Sequence, residues 1–531
     1  MTKSKFLHAS AILIMANAIA KILGAVFKIP LTYILREDGM AVYNTAFSVY
    51  ITVMSLALGG FPFALTKILA EYNALGRCDR IRPLVRSVGL ILLALGAAGS
   101  IIMYVFAPQL ATAMREPSAA GAVRAVSLSV ALVALGAAYK SSNEACSDLI
   151  PTAVSQVTEA ALKLFVGFYL AQALVRISVT AAAEGAIFGV TIGEAFATAL
   201  LGTVWFFRTR KFENGRLLPG ELRAIYRIAL PLALCGAATG ALSMCGVPVM
   251  RGALAALRFT PQSAQNFLLR YSSYTDAFDT LPDTLRLTAD GARKLYGAYS
   301  GYAHTVFNLP VGIIATVSAA STPMIAAALT KSDNAALSRT LERILSLVLF
   351  LSIPSAFVCF FFSPQILGML FHTDFAAPML SFLAPAIIFI CAANMLAALL
   401  HLSGRIFEPF LANIISLALQ LCLCAALTRV SFINILGAPA ACSLGALCAL
   451  LANTVILRRS FGIRTHFMRL SAVPFAASCV MCAVMFLSCA PLSLRLGKTA
   501  GFAAACLMGG AAYLCVCALA SRRGYIIIGK K

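Results

Sequence analysis

Three polar residues, Asn17, Lys21 and Lys28, interrupt a segment that is otherwise apolar enough to cross a membrane. At about 100° per residue they fall within a narrow arc of one helix, so both ammonium groups point in the same direction. A charge at membrane depth is costly and usually faces a bundle interior or a watery cavity, where it serves function. The stripe predicts a cationic site for an anionic ligand. The structural alternative is that Lys28 extends to the membrane surface and Lys21 pairs with a carboxylate on another helix.

Two further cations are candidates for the same site. Lys67 stands at the end of the second apolar segment, where it either extends to the membrane surface or closes one mouth of the cavity. Arg251 stands at the end of the seventh segment and would add a cation from the second half of the chain. The predicted substrate-binding set is therefore Asn17, Lys21, Lys28, Lys67 and Arg251.

Two carboxylates inside apolar segments are candidates for charge balance or ion coupling. Glu159 precedes Lys163 by four residues, a spacing that permits an ion pair on one helix. Glu194 lies deeper in its segment, where a lone carboxylate needs a partner or takes up a proton. The sequence leaves open whether Glu194 neutralises a lysine or relays protons.

The composition is that of a polytopic membrane protein. Of 531 residues, 60% are hydrophobic and only 12% are charged, and the mean hydropathy is +0.89. No region shows the short alternating segments of an outer-membrane barrel, so the predicted fold is all-α. The net charge of +22 lies in short connections between apolar runs, which indicates membrane orientation and no nucleic-acid partner.

Apolar runs of about 20 residues predict about fourteen transmembrane helices. The predicted spans are 9–35, 41–70, 84–108, 119–141, 150–174, 181–207, 225–250, 297–328, 343–367, 375–401, 407–428, 434–457, 471–490 and 498–520. Arginine and lysine are concentrated in the even-numbered connections and in the C-terminal tail, which predicts that both termini are cytoplasmic.

Weak internal similarity suggests a duplicated architecture. Pro62 and Pro323 follow similar small-residue turns, and Gly185-Ala186 resembles Gly437-Ala438. Transporters are often built from such repeats, with the substrate site between them. We expect a six-helix bundle over 1–224, a second over 225–470 that includes a long external loop at 251–296, and two additional helices with a basic cytoplasmic tail over 471–531.

Neither a metal site nor an enzyme is predicted. The sixteen cysteines lie mostly in apolar runs, and Cys479 and Cys482 form a lone C-x-x-C without partner ligands, so no cofactor or metal is expected. A membrane glycosyltransferase would need convergent acids. Glu37-Asp38 and the pair Asp276 and Asp279 are the candidates, but external loops carry aspartate for solubility, and we expect no enzyme.

Four runs of sequence together resemble a known family. They are Lys21-Ile-Leu-Gly-Ala-Val-Phe-Lys-Ile-Pro-Leu, Gly59-Gly-Phe-Pro-Phe-Ala-Leu-Thr-Lys-Ile-Leu-Ala-Glu, Ile150-Pro-Thr-Ala-Val-Ser-Gln-Val-Thr-Glu and Ile435-Leu-Gly-Ala-Pro-Ala. These runs resemble the stage V sporulation protein B-like polysaccharide transporters. That family lies in the multidrug, oligosaccharidyl-lipid and polysaccharide flippase superfamily, which also includes the lipid II flippases.

The resemblance implies two bundles in a V-shaped, alternating-access arrangement in the bacterial cell membrane. It also implies export of an undecaprenyl-pyrophosphate-linked sugar and cationic residues of the first span that face a central cavity, with Lys28 in the basic position. Residues and resemblance together predict a flippase for a lipid-linked anionic oligosaccharide, a precursor of peptidoglycan or another envelope polysaccharide. The partners expected are this lipid, the bilayer and a coupling proton or sodium ion. The alternative is a cation-coupled multidrug exporter of the same superfamily, which only Glu159 and Glu194 support.

Overall fold

The computed structural model describes residues 3–522 apart from several short gaps. The gaps are 147, 211–218, 260–261, 263–264, 266–277, 281–284, 322–323, 326–328, 330–333, 406 and 464. Pro323, Asp276 and the basic tail at 523–531 therefore lie outside the described residues.

The first half of the chain is helical. The helices are α1 Lys3–Leu58, α2 Phe61–Ala74, α3 Ile81–Val105, α4 Ala107–Ala113, α5 Ala120–Ala145, α6 Ile150–Leu174, α7 Val179–Thr209 and α8 Pro219–Ala255. Short 3-10 turns at Cys78–Arg80 and Pro117–Ala119 precede α3 and α5.

The second half begins with a small antiparallel sheet and continues with helices. The strands are β1 Arg258–Phe259, β2 Phe278–Thr280 and β3 Leu285–Leu287, in the order β1-β3-β2. The helices are α9 Ala289–Ala298, α10 His304–Ala320, α11 Asn334–Phe361, α12 Ser363–Phe371, α13 Ala377–Leu383, α14 Pro385–Leu402, α15 Phe407–Thr428, α16 Gly437–Phe461, α17 Phe467–Leu496 and α18 Lys498–Arg522. A π-helical turn, Tyr299–Ala303, joins α9 to α10.

The all-helical polytopic fold is confirmed. Within the described ranges, twelve helices are long and apolar enough to cross a membrane. The predicted count of fourteen is not confirmed, for two physical reasons. The first two predicted spans run together in α1, where only Arg36 is non-helical (φ 51°, ψ −162°). The eighth is divided by the π-helical turn, which leaves α10 with 17 residues.

Packing divides the chain into two units. The N-terminal unit comprises Met1–Ala255 and Thr288–Gly301, and the C-terminal unit comprises Ala256–Leu287 and Tyr302–Lys531. The first boundary falls after α8 and differs from the predicted boundary at 224, because α8 packs against α1 and α2. The predicted C-terminal pair of helices, α17 and α18, packs together, and α17 contacts α11, so both belong to the C-terminal unit.

Interhelical hydrogen bonds to backbone carbonyls connect the helices of the C-terminal unit. The Asn453 side-chain amide donates to the Ala393 carbonyl at 3.2 Å, and the Tyr513 hydroxyl donates to the Phe350 carbonyl at 2.7 Å. Polar side chains on membrane helices commonly stabilise packing in this way.

Two glycines at the start of α2 let α8 approach closely. Gly59 has a positive φ of 49°, and a Cβ there would lie 2.5 Å from the Ala233 Cβ. A Cβ at Gly60 would lie 2.8 Å from the Ala229 carbonyl oxygen. A side chain at either position would therefore collide with α8. These glycines determine how closely α2 and α8 pack.

We expect Gly60→Ala to lower the free energy of unfolding by about 1–3 kcal/mol, because the added methyl group overpacks the contact with α8. Gly24→Ala is the matched control, since a Cβ there meets nothing within 4 Å. Thermal melts of the detergent-solubilised variants, followed by size-exclusion chromatography, measure the difference. Equal melting temperatures for the two variants would contradict the close-packed interface.

Candidate functional site

The first helix positions the predicted cationic stripe. Asn17, Lys21 and Lys28 all lie in the continuous helical part of α1 before Arg36. Asn17 and Lys28 are half-buried, whereas Lys21 is exposed. The Thr32 hydroxyl donates to the Lys28 carbonyl at 2.7 Å, which satisfies a backbone acceptor one turn back. The described helix thus confirms the shared face that the spacing predicts.

A second ammonium group lies near Lys28. α1 packs against α6, and the Lys163 side chain on α6 is close enough to repel the Lys28 ammonium electrostatically. Two cations in a membrane-spanning region attract an anion more strongly than either alone. The pair Lys28 and Lys163, which we call the cationic pair, is the feature most suited to binding a charged headgroup.

Aromatic rings hold Lys163 in place. Its Nζ atom lies 5.0 Å from the centroid of the Phe47 ring, within cation–π range. Tyr43 stacks against Phe47 at a centroid distance of 6.1 Å, and Phe27 contacts Tyr43 edge-on at 6.4 Å. Among the ion pairs of the described residues, the pair of Glu159 and Lys163 that their spacing permits does not occur, and the Lys163 ammonium contacts the Phe47 ring instead.

Two carboxyl groups meet beside this lysine. Glu159 on α6 and Glu194 on α7 line the same cavity, and Tyr50 on α1 lies close enough to both to interact with them electrostatically. α6 and α7 come this close because Gly193 has no side chain: a Cβ there would lie 2.8 Å from the Glu159 carbonyl oxygen. Two like charges in one cavity repel each other, so a proton or a cation there would stabilise the arrangement. We call Glu159 and Glu194 the carboxyl pair.

The carboxyl pair lines a cavity of about 460 Å³ in the N-terminal unit. α5 contributes Lys140 and Glu144 to its wall, and Gln156 on α6 adds an amide. Both Lys140 and Lys163 act electrostatically on Glu194. The cavity can therefore exchange a proton or hold a small cation against mixed charges.

The remaining predicted cations lie elsewhere. Lys67 is exposed on α2, next to Thr66, which lines the cavity. Arg251 is buried, and its Nη1 donates to Glu116 Oε2 at 2.9 Å. The Arg251 charge, which the sequence analysis assigns to substrate binding, is thus already paired with a carboxylate.

Sequence reasoning missed three of the groups that complete these arrangements. The sequence predicts Lys163 only as a partner for Glu159, and it does not indicate a role for Lys140 or Glu116. The lysine spacing on α6 was the one available signal, since Lys163 lies one turn from Glu159. Nothing in the sequence pairs it with Lys28, which is distant along the chain.

Two of the acids considered for an enzyme lie in described elements. Asp38 lies 4.0 Å from the Arg293 guanidinium, and Asp279 lies in β2, while Asp276 is outside the described residues. In the part of the chain that the structure describes, no group of three or more histidine, cysteine or acidic residues could hold a metal ion.

Comparison with solved structures identifies the fold. The lipid II flippase MurJ in its inward closed conformation is 16% identical with a TM-score of 0.63, over 96% of this chain and 99% of that chain. An inward-facing multidrug resistance MATE family transporter of the MOP superfamily is 11% identical with a TM-score of 0.66, over 85% and 98%. The chain has the fold of these alternating-access membrane transporters.

Comparison of the amino-acid sequence with known proteins identifies relatives of the chain. The family model described as lipid II flippase MurJ matches residues 296–505. Lipid II flippase MurJ of Bacillus subtilis (strain 168) is 27% identical over 174 residues, which are 30% of this chain and 31% of that protein. Stage V sporulation protein B of the same organism is 21% identical over 400 residues, which are 72% and 70% of the two chains. The resemblance to the stage V sporulation protein B-like transporters is confirmed, and the chain is a multi-pass membrane protein that is similar to the lipid II flippase MurJ and to stage V sporulation protein B.

Proposed function

We propose that the protein moves an undecaprenyl-pyrophosphate-linked oligosaccharide, a precursor of peptidoglycan or another envelope polysaccharide, across the cytoplasmic membrane. The observation that carries this proposal is the cationic pair, Lys28 and Lys163, on two packed membrane helices. The lipid II flippase relative and the matching family model support a lipid-linked substrate.

Charge pairing is the physical reason for this assignment. A pyrophosphate is strongly hydrated, and moving it through a low-dielectric region is prohibitive unless cations replace the water. Two unit charges 4 Å apart interact by about 4 kcal/mol at an effective dielectric constant of about 20. Lys28 and Lys163 would contact the pyrophosphate, while the lipid tail remains in the bilayer.

The other predicted residues take supporting roles in this proposal. Asn17 and Lys21 lie on the same face of α1 as Lys28. They would contact the headgroup in turn as it moves along the helix. Lys67 would attract the substrate at the cavity mouth from its exposed position. Arg251 is assigned to its ion pair with Glu116 and is removed from the substrate site. Both termini would be cytoplasmic, as the basic connections predict.

Reconstitution tests the proposed function. A fluorescent undecaprenyl-pyrophosphate-linked disaccharide in proteoliposomes becomes accessible to a membrane-impermeant quencher when it crosses the bilayer. We expect the protein to accelerate its movement well above that in protein-free vesicles. Quenching at the protein-free rate, with the purified protein folded and inserted, would contradict a flippase.

A second candidate function follows from the carboxyl pair. Two carboxyl groups in one cavity are suited to coupling export of an organic cation to a proton or sodium gradient, and MATE transporters share the fold. Under this alternative the imposed gradient drives organic-cation export and the lipid does not move. The same vesicles, loaded with a fluorescent organic cation, separate the two functions.

For either cargo, we expect Glu194→Gln to abolish the response of transport to an imposed pH gradient. The amide cannot take up or release a proton, whereas Tyr50, Lys140 and Lys163 around it are unchanged. Glu184→Gln is the matched control, since Glu184 lies on the same helix about 15 Å away along the axis. Transport rates at inside-acid and inside-alkaline pH measure the effect. A pH response retained in Glu194→Gln would remove the carboxyl pair from coupling.

A further inference from the structure

A second cavity lies in the C-terminal unit, at one end of its membrane helices. It encloses about 540 Å³ between α12, the turn that follows α12, and the hairpin formed by α17 and α18. Both helices of the hairpin are long and apolar enough to cross a membrane, as is α11, which directly precedes α12. The cavity therefore lies where membrane helices end, at the level of the lipid headgroups.

The turn after α12 brings polar side chains to this cavity. His372 ends the helix in the left-handed conformation (φ 55°, ψ 23°), and its N–H donates to the Gly368 carbonyl at 3.2 Å. Residues other than glycine rarely adopt this conformation, which changes the direction of the chain abruptly. His372, Thr373 and Asp374 consequently all line the cavity. The Ala377 N–H donates to the Asp374 carbonyl at 2.8 Å and fixes the backbone of the turn.

The hairpin of α17 and α18 forms the other wall. Gly497, with a φ of 86°, connects the two helices directly. Ser493 at the end of α17 and Lys498 at the start of α18 thereby line the same cavity. Phe502 adds an apolar surface, since its ring lines the cavity and lies 6.1 Å from the Phe362 ring. The cavity thus combines charged and hydroxyl groups with an aromatic wall.

Two opposite charges line this cavity without pairing. The Asp374 and Lys498 side chains come from different walls, and both are exposed. In the described part of the chain, neither of them takes part in an ion pair. Each can therefore bind the opposite charge of a ligand, with charge-assisted hydrogen bonds. The arrangement suits a ligand that carries an anionic group and an ammonium group a few bonds apart.

We propose that the cavity binds the headgroup of a zwitterionic phospholipid of the phosphoethanolamine type. Lys498 would bind the phosphate, and Asp374 would accept from the primary ammonium group. The position of the cavity at the helix ends favours a membrane lipid over a soluble zwitterion with the same groups. Leu494, next to Ser493, is 88% exposed and would contact the acyl chains of the same lipid.

The leaflet follows from the proposed topology. α18 runs from the cavity towards the C-terminus, so a cytoplasmic C-terminus places the cavity at the outer leaflet. Only this choice of leaflet rests on the proposed function and its topology. Lipid binding itself is independent of what the protein transports.

The charges also predict an order of preference among lipids. The volume lies within the range of about 300–1,000 Å³ that is usual for ligand sites, so a headgroup fits. Phosphatidylglycerol has no ammonium group and would leave the Asp374 carboxylate near a phosphate of like charge. Phosphatidylcholine keeps the positive charge, but its quaternary ammonium has no N–H to donate to Asp374. Phosphatidylethanolamine should therefore bind most tightly.

Native mass spectrometry of the detergent-purified protein tests the proposal, by titration with these three lipids with identical acyl chains. We expect the wild type to bind phosphatidylethanolamine about fivefold more tightly than either other lipid, as contacts with two exposed charges allow. Asp374→Asn and Lys498→Gln should each lose most of this preference. Arg495→Gln is the matched control, because Arg495 is an exposed cation three residues before Lys498 that does not line the cavity.

A third variant fills the cavity and leaves its charges unchanged. Gly368 lines the cavity, and a Cβ there would meet nothing within 4 Å. Gly368→Leu should therefore fold normally, as a single symmetric peak in size-exclusion chromatography would show, and should weaken binding of phosphatidylethanolamine.

Four results would overturn the proposal. They are equal binding of the three lipids, an equal loss in Arg495→Gln, wild-type affinity in Gly368→Leu, and displacement of the lipid by an equal concentration of soluble O-phosphoethanolamine. The last result would identify a soluble zwitterion as the ligand. Because lipid binding is measured without transport, failure to move a lipid-linked pyrophosphate would count against the proposed function alone.

Discussion

Replacing Lys28 with alanine is expected to slow flipping of a lipid-linked pyrophosphate by about 10–100-fold. The variant loses one charge-assisted contact with the headgroup, worth about 1.5–3 kcal/mol, and about 1.4 kcal/mol corresponds to tenfold. Lys163→Ala should lose a similar amount, because the two ammonium groups belong to the same cationic pair. The initial rate of quencher accessibility in proteoliposomes, at matched protein content, measures both effects.

The control variants separate a specific role from general damage. Lys28→Arg keeps the charge, and we expect it to retain most of the rate, since guanidinium binds phosphate at least as well as ammonium. Lys67→Ala removes an exposed cation and should change the rate by less than about threefold. Wild-type rates in Lys28→Ala, or an equal loss in Lys67→Ala, would argue against the cationic pair as the headgroup site.

The largest effect on stability is expected from Glu116→Ala. This carboxylate is buried and accepts from Arg251 and Arg293, so its removal leaves two guanidinium groups without their anion. Breaking a buried pair in this way lowers the free energy of unfolding by about 3–5 kcal/mol. Denaturant unfolding of the detergent-solubilised protein measures the loss.

An exposed ion pair provides the comparison. Glu408 accepts from Arg405 at 2.7 Å, but both side chains are more than 40% exposed, so Glu408→Ala should cost less than about 1 kcal/mol. Adding Arg251→Met to Glu116→Ala should recover part of the loss, because one unpaired buried charge disappears. Equal unfolding curves for Glu116→Ala and Glu408→Ala would show that burial of the ion pairs of Glu116 adds nothing to the free energy of unfolding.

Sequence patterns predicted the elements of this fold better than their number. Apolar runs identify membrane helices because the bilayer requires about 20 such residues, and the described helices follow most of the predicted spans. The count is less certain from sequence, because a single non-helical residue, Arg36, separates the first two spans within α1. Periodicity cannot reveal a break that one pair of backbone angles makes.

Only part of the candidate site could be predicted, because helical periodicity describes one helix at a time. Helical periodicity placed Asn17, Lys21 and Lys28 on one face, since this property depends on one helix alone. The neighbours of Lys28 and Arg251 depend on how distant helices pack. A single sequence gives no indication that Lys28 lies near Lys163 or Arg251 near Glu116. Only the fold brings these charges together.

The most direct test of the central claim compares two lipids in one vesicle preparation. Both carry the same polyprenyl chain and disaccharide, but one has a pyrophosphate linkage and the other an uncharged ether linkage. We expect the wild-type protein to move the pyrophosphate lipid at least tenfold faster, and Lys28→Ala to reduce this preference. Equal rates for the two lipids would show that the cationic pair does not select the headgroup and would contradict the proposed flippase mechanism.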